Sequence, residues 1–297
     1  MFLTRRPVCR LHSKCAVIAI VRIILNLPCP QKRLSAVLRH FPEIGIHYPH
    51  KKRDYFIAAF TFFCVAVCLI SDATADMDKQ NALGVCGWVF LIGLLLGEST
   101  DVRVQVLIAV MFATIGEHFA SPYMGGYTYR FGNVPAYVPP GHGMVYLTAV
   151  ALARSGLFMT HARAITAGVL LVCGLWSWWG ISGIPAQGDY VGALLFCVFL
   201  IYVFKGRSPL VYVAAFFITT WLELIGTAVG TWKWAAIDPV LHLPQGNPPS
   251  GVAAWYCLVD AVAMGGAPLV FKGWRSVSEW LAAVRGRRTA YQGAAND

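Results

Sequence analysis

The chain is a series of apolar runs that recurs with a fixed offset of 106 residues, and this limits the folds open to it. Runs long enough to cross a bilayer (~17–25 residues) fall at about 55–71, 82–97, 102–121, 142–158, 164–180, 189–204, 209–229 and 251–271. Adding 106 to the first three reaches the fifth, sixth and seventh, and the fourth maps onto the eighth with a shift of two or three more. The connections repeat as well. Residues 117–146 and 223–256 each carry a glutamate, glycines, two aromatics one residue apart, a Pro-rich loop and a Pro-Pro pair before the next run. A constant period of this kind marks duplication. An even number of runs per unit makes both units enter the membrane in the same direction, the parallel-repeat arrangement. The expectation is an all-α, polytopic integral membrane protein of about eight transmembrane helices, a 4+4 parallel tandem repeat with both termini inside.

Composition excludes an ordinary soluble enzyme. Only 13% of residues are charged and 57% are hydrophobic, against about 25% charged in a soluble domain. The formal charge of +10 lies wholly in residues 1–53, which hold 11 Lys/Arg and one acid, Glu43. The basic excess is therefore a tail suited to an anionic membrane surface, not a nucleic-acid-binding body. The expected divisions are a basic cytoplasmic segment (1–53), two four-helix repeats (54–160 and 161–271) and a basic amphipathic tail (272–297). In that tail Trp274, Val277, Leu281 and Val284 form a stripe suited to a short helix on the inner leaflet. The run 15–28 contains Arg22 and is too short to span, so a cytoplasmic or interfacial segment is expected there. With the N-terminus inside, the inner segments carry 21 Lys/Arg and the outer loops three, Lys79, Arg130 and Lys233. That bias puts both signature loops, about 122–141 and 230–250, on the extracytoplasmic side. No eukaryotic sorting signal is evident, so a prokaryotic inner membrane is the expected location.

Ionisable side chains within spans are costly and are the default functional candidates. Here they are Glu117, His118, Glu223 and Asp260, with His142 at the start of the fourth run. Glu117, His142, Glu223 and Asp260 form the candidate catalytic set and are placed in one cavity opening outward. A buried, neutral carboxylic acid can act as a general acid. The competing reading is structural: each glutamate precedes a Gly/Pro-rich loop whose backbone groups need partners, and a feature present in both halves can be what the fold requires twice. His118, His142 and Asp260 face Leu224, Ser250 or Gly251, and about Leu152 in the other half. That asymmetry favours chemistry for them. Successive helical residues diverge by about 100°, so Glu117 and His118 cannot face one point. The four catalytic candidates could ligate a metal, but no H-x-x-x-H, H-E-x-x-H or E-x-x-H pattern occurs, and none is expected. No cofactor is expected, because Walker A, dinucleotide and serine-elbow motifs are missing. The nine cysteines include no C-x-x-C pair and indicate neither a disulfide framework nor a zinc site. Tyr127, Tyr129, Trp232 and Trp234, with His118 and with Asn247 of the second loop, are the candidate substrate-binding residues; such aromatics can wall an apolar pocket or face a cation.

The segment Glu223-x-x-Gly226-x-x-x-Gly230-x-Trp232-x-Trp234 has a partner in Glu117 with Gly126-Tyr127-x-Tyr129, followed by Val134-Pro135 and Val138-Pro139. Together they resemble the signature of the bacterial and archaeal membrane carotenoid hydratases, over about 60 residues in two patches. The chain differs from that pattern at the His142 turn and in the Gly-Asn-Pro-Pro-Ser-Gly segment at 246–251. The resemblance implies acid-catalysed hydration or isomerisation of an isoprenoid polyene. Asp260 or Glu223 would be the acid, His142 the base that orients water, and Trp232 and Tyr127 the pocket walls. The expected partner is a membrane lipid or isoprenoid. Transport or binding of a lipid or small molecule without catalysis is the competing class, and a membrane subunit is a third.

Overall fold

The computed structural model describes Pro42, Ile46 and residues 48–294, with side chains described as far as Trp280. The basic segment before residue 42 and the run 15–28 lie outside the described residues. Among the described residues nine α-helices and two short strands follow in chain order: α1 (Lys52–Asp72), α2 (Met77–Leu95), α3 (Thr100–His118), β1 (Tyr127–Tyr129), α4 (Val138–Ala153), α5 (Gly156–Thr160), α6 (Ala162–Ile181), α7 (Tyr190–Lys205), α8 (Pro209–Val229), β2 (Trp232–Trp234) and α9 (Ala253–Ala294). Among the described residues five helical segments are long and apolar enough to cross a membrane: Lys52–Asp72, Thr100–Tyr123, Ala162–Ile181, Pro209–Val229 and Ala253–Trp280. The apolar α7 is shorter, at 16 residues.

Local chemistry fixes the ends. Asp76 caps α2 by accepting from Lys79 N, and Asp189 caps α7 by accepting from Gly192 N, both at 2.9 Å. Pro209 opens α8 at a position where no donor is needed. Gly230, at φ 77°, closes α8 in the left-handed conformation that glycine adopts without strain. The fourth apolar run begins earlier than its hydropathy indicates, at Val138, because the prolines at 139 and 140 fit a first helical turn. It breaks after Ala153, where Ser155 caps the separate turn α5. The C-terminal region differs from a short leaflet-bound helix. Residues 253–294 form one continuous helix, which runs on through Pro268 and through Gly265, Gly266 and Gly273.

α4 is buried along most of its 16 residues, including Tyr146, Leu147, Ala149 and Ala151. The two most extensive helix–helix contacts run between the two halves of the chain: α4 lies against α8, and α3 against α9. The apolar core follows the same division. One cluster joins α1–α4 to Ala263 of α9, and a second joins α6–α9 around Phe199, Val213 and Cys257. A third crosses between halves through Leu69, Tyr137, Val145, Ile218 and Trp232.

Ionic groups tie both ends of the bundle. At the strand end, buried Asp72 accepts from Gln80 Nε2 at 2.8 Å and Tyr137 Oη at 3.0 Å, while Arg130 donates to the Asp72 and Ala75 carbonyls. This pins residues 130–137 to α1. Asp189 does the same for the second loop, accepting from Gly246 N and Ser250 N at 2.7 Å each. At the opposite end, the Arg154 guanidinium makes two parallel bonds of 2.8 Å to Glu98 and a third to Asp54.

Candidate functional site

The site is assembled where the two signature segments meet. α3 passes through Glu117 into a π-helical turn, Phe119–Tyr123, containing Pro122. Gly125, at φ 72°, then turns the chain into β1. After Gly230, Thr231 N and Oγ1 both donate to Gly226 O at 2.9 Å and aim the chain into β2. The strands pair antiparallel, Tyr127 opposite Trp234 and Tyr129 opposite Trp232, although they stand about a hundred residues apart in sequence.

Each glutamate holds the aromatic strand that follows it. Glu117 Oε2 accepts from the Tyr127 and Tyr129 hydroxyls at 2.5 and 2.8 Å. Glu223 Oε2 accepts from the indole Nε1 of Trp232 and of Trp234, both at 3.0 Å. Hydrogen bonds to an ionised acceptor are about twice as strong as neutral ones. Burial, and then the Glu117 carboxylate, push the Tyr127 and Tyr129 phenols far above their ordinary range, so both remain donors. The glutamates thus tie the following strands to their helices through side-chain donors, not through the loop backbone groups that the structural reading invokes. This role does not exhaust them, because both also border a cavity.

Beyond these clamps the halves differ. His142 Nε2 lies 2.8 Å from Glu117 Oε1, each side chain 11% exposed. The His142 ring stacks on Tyr256, with centroids 5.5 Å apart and planes at 26°. The Tyr256 hydroxyl in turn bonds to Glu223. A continuous path therefore runs Glu117–His142–Tyr256–Glu223 from one half of the chain to the other. Tyr256 appears in the sequence only as one interfacial aromatic among many. Its i, i+4 spacing to Asp260 was the signal available, and it cannot disclose that the ring lands on a histidine 114 positions earlier.

Beneath the hairpin lies a cavity of about 890 Å³, within the ordinary size range of lipid- and drug-sized pockets. Its walls come from α1, α2, α3, α4, α7, α8 and α9 and are overwhelmingly aliphatic and aromatic. Charge-bearing lining residues are Glu117, Glu223, Asp238 and His142; among the described residues no lysine or arginine lines it. Several wall residues are also exposed: Phe63, Val67, Phe119, Leu194, Val198, Val240 and Trp255.

Of the ten candidates, Glu117, His142, Glu223, Tyr127, Tyr129, Trp232 and Trp234 come together at this cavity. Three do not. Asp260 is 2% exposed, lies outside the cavity lining, and leaves Oδ2 without a hydrogen-bond partner. It sits one helical turn beyond Tyr256, with Tyr146, Tyr212 and Cys257 as electrostatic neighbours. The single cavity expected for all four catalytic candidates therefore contains three. His118 is exposed and pairs with its own helix at Thr114 O, 2.8 Å away, as the 100° rotation from Glu117 requires. Asn247 accepts from Trp234 N at 2.9 Å and so braces the strand from outside the cavity. Nor do the four candidates converge as metal ligands: among the described residues no group of three or more His, Cys, Asp or Glu side chains is placed to hold an ion. Comparison of the chain with protein-family models, with curated proteins and with solved structures finds no match.

Proposed function

We propose that this multi-pass membrane protein binds an apolar lipid or isoprenoid in the cavity below the hairpin, and that the cavity hydrates or isomerises a polyene by acid catalysis. The observation that carries the reading is the composition of the chamber. It is a hydrocarbon-lined space in which Glu117, His142 and Glu223, three of its four charge-bearing groups, are linked through Tyr256. Ionisable groups buried at membrane depth mark function by default. The resemblance to membrane carotenoid hydratases points the same way.

In this scheme Glu223, protonated, donates to one carbon of a C=C bond. The adjacent carbon becomes a tertiary cation, which the ring faces of the hairpin and the Glu223 carboxylate stabilise. A water molecule positioned by Glu117–His142 then adds to that carbon. Its proton passes to His142 and on to solvent, and Glu223 takes a proton back from solvent. The sum is addition of H and OH across the double bond, with the protein unchanged. Isomerisation uses the same cation and loses a proton from a neighbouring carbon instead.

Eight spans, with the hairpin on the extracytoplasmic face of a prokaryotic inner membrane, are part of the proposal. The Lys/Arg bias supports the orientation. The cross-half pairing of α3 with α9 and α4 with α8 supports a two-fold relation between like-oriented repeats. Transport or binding without chemistry is the second reading. The exposed apolar wall residues favour it, since a ligand could reach the chamber past them from the bilayer.

The test is conversion of linear isoprenoid polyenes by purified protein, followed by mass (a gain of one water) or by a shifted double bond. Glu223→Gln keeps a hydrogen-bonding side chain at the clamp but cannot supply the proton. It is expected to lower turnover at least ~100-fold, the typical contribution of a positioned acid, with polyene binding retained. Binding without conversion by the unaltered protein, across pH, supports the second reading instead.

A further inference from the structure

The cavity is unbalanced in charge in a way that specifies its ligand. Glu117 has the ionisable partner His142 at 2.8 Å. Glu223 has three donors, Trp232, Trp234 and Tyr256, and all three are neutral. It is 4% exposed, faces the cavity, and no lysine or arginine lines the chamber among the described residues. The third acid of the lining, Asp238, spends Oδ1 on the Val240 and Leu241 amides. An anionic head group entering here would meet three acids with one histidine to offset them, in a medium where like charges are poorly screened. A cation would favour the ionised form of the Glu223 carboxyl, which has no counter-charge of its own beside the indole and phenol rings.

We propose that the chamber is a binding site for lipophilic monovalent cations, with the apolar body among the aliphatic walls and the positive centre against Glu223 and the hairpin rings. The proposal rests on the reading of the cavity as a ligand site and narrows it to a charge class. Phosphate- or carboxylate-headed lipids are excluded. The natural ligand carries positive charge or develops it during reaction. Opposite charge and ring quadrupoles both contribute, and cation–π contacts strengthen when desolvated.

Tetraphenylphosphonium and tetraphenylborate test this, because they are nearly the same size and shape and differ in sign. Equilibrium dialysis of the full-length protein in a non-ionic detergent, corrected for uptake by empty micelles, gives both affinities. The expected result is at least tenfold tighter binding of the phosphonium. Glu223→Gln should reduce that preference to within about threefold, with little change for the borate. Equal affinities, or tighter binding of the borate, overturn the charge assignment without any variant being needed. If neither ion binds but squalene does, the cavity is a neutral-lipid site and this inference alone fails. If none of the three binds, the reading of the chamber as a ligand site fails with it.

Discussion

Gly226→Ala is expected to destabilise the protein by about 3 kcal/mol or more, combining overpacking with loss of a charge-assisted hydrogen bond, and to abolish ligand binding at the hairpin. An added Cβ at this position would lie 2.0 Å from Trp232 Cη2 and 2.3 Å from Cζ3. No real Cβ stands so close, and the indole has little room to retreat. It is 6% exposed, packed in the cross-half cluster with Leu222 and Tyr129, and fixed at Nε1 by Glu223. Displacing the ring breaks that bond and disturbs the strand register that depends on it. Gly93→Ala in α2 is the control, since nothing lies within 4 Å of its added Cβ. It should be neutral or slightly stabilising, because alanine is favoured over glycine within a helix. Thermal unfolding in detergent, together with phosphonium binding, measures both effects. Equal behaviour of the two variants would mean that Trp232 does not pack on α8.

The second large effect is expected at the opposite end. Arg154→Met should cost about 3–5 kcal/mol, the usual penalty for removing one partner from a buried ionic group. The guanidinium serves Asp54 and Glu98, whose side chains are 2% and 4% exposed. Without it, among the described residues, Asp54 has no cation and Glu98 keeps only Arg53 at 3.3 Å. Lysine should rescue only in part, because an ammonium cannot make the two parallel bonds that the planar fork makes to Glu98. This cluster also sets an acid limb. Burial pushes the Glu98 carboxyl up, but the Arg154 and Arg53 guanidiniums more than offset that and hold it below the usual range. A carboxyl lowered in the folded state stabilises fully above its unfolded pKa, ~4.3, and that stabilisation disappears as pH falls through the folded value. The unaltered protein should therefore lose melting temperature below about pH 4, and Arg154→Met should show a shallower acid limb. A parallel fall in both would assign acid sensitivity to other carboxylates.

Helices and loops were legible because their signals are local. Apolar runs placed α1, α3, α6 and α8 closely, and the glutamate, aromatic and proline repeat marked both site segments. What the sequence does not carry is distance between remote residues. Strands of three residues, Tyr127–Tyr129 and Trp232–Trp234, have no periodicity of their own and exist by pairing with each other. Asp72, Asp189 and Arg154 were overlooked as structural anchors because they sit at helix ends, where a charged residue looks merely solvated. Asp260 is, like Glu223, an ionisable residue within a span, but position along an axis does not say which side of a helix faces the chamber. Tyr256 owes its place in the site to the stacking of its ring on His142, a contact between remote residues.

The central claim is that the two signature segments meet as a paired hairpin over a shared chamber. Thr128 and Lys233 stand opposite each other in that pairing, and both are exposed. Cysteines placed at these two positions, in a background lacking the native ones, should form a disulfide under mild oxidation, seen by mass spectrometry as a linked pair of peptides from the two halves. Failure of the pair to link, with both thiols shown to be accessible to an alkylating reagent, would contradict the arrangement.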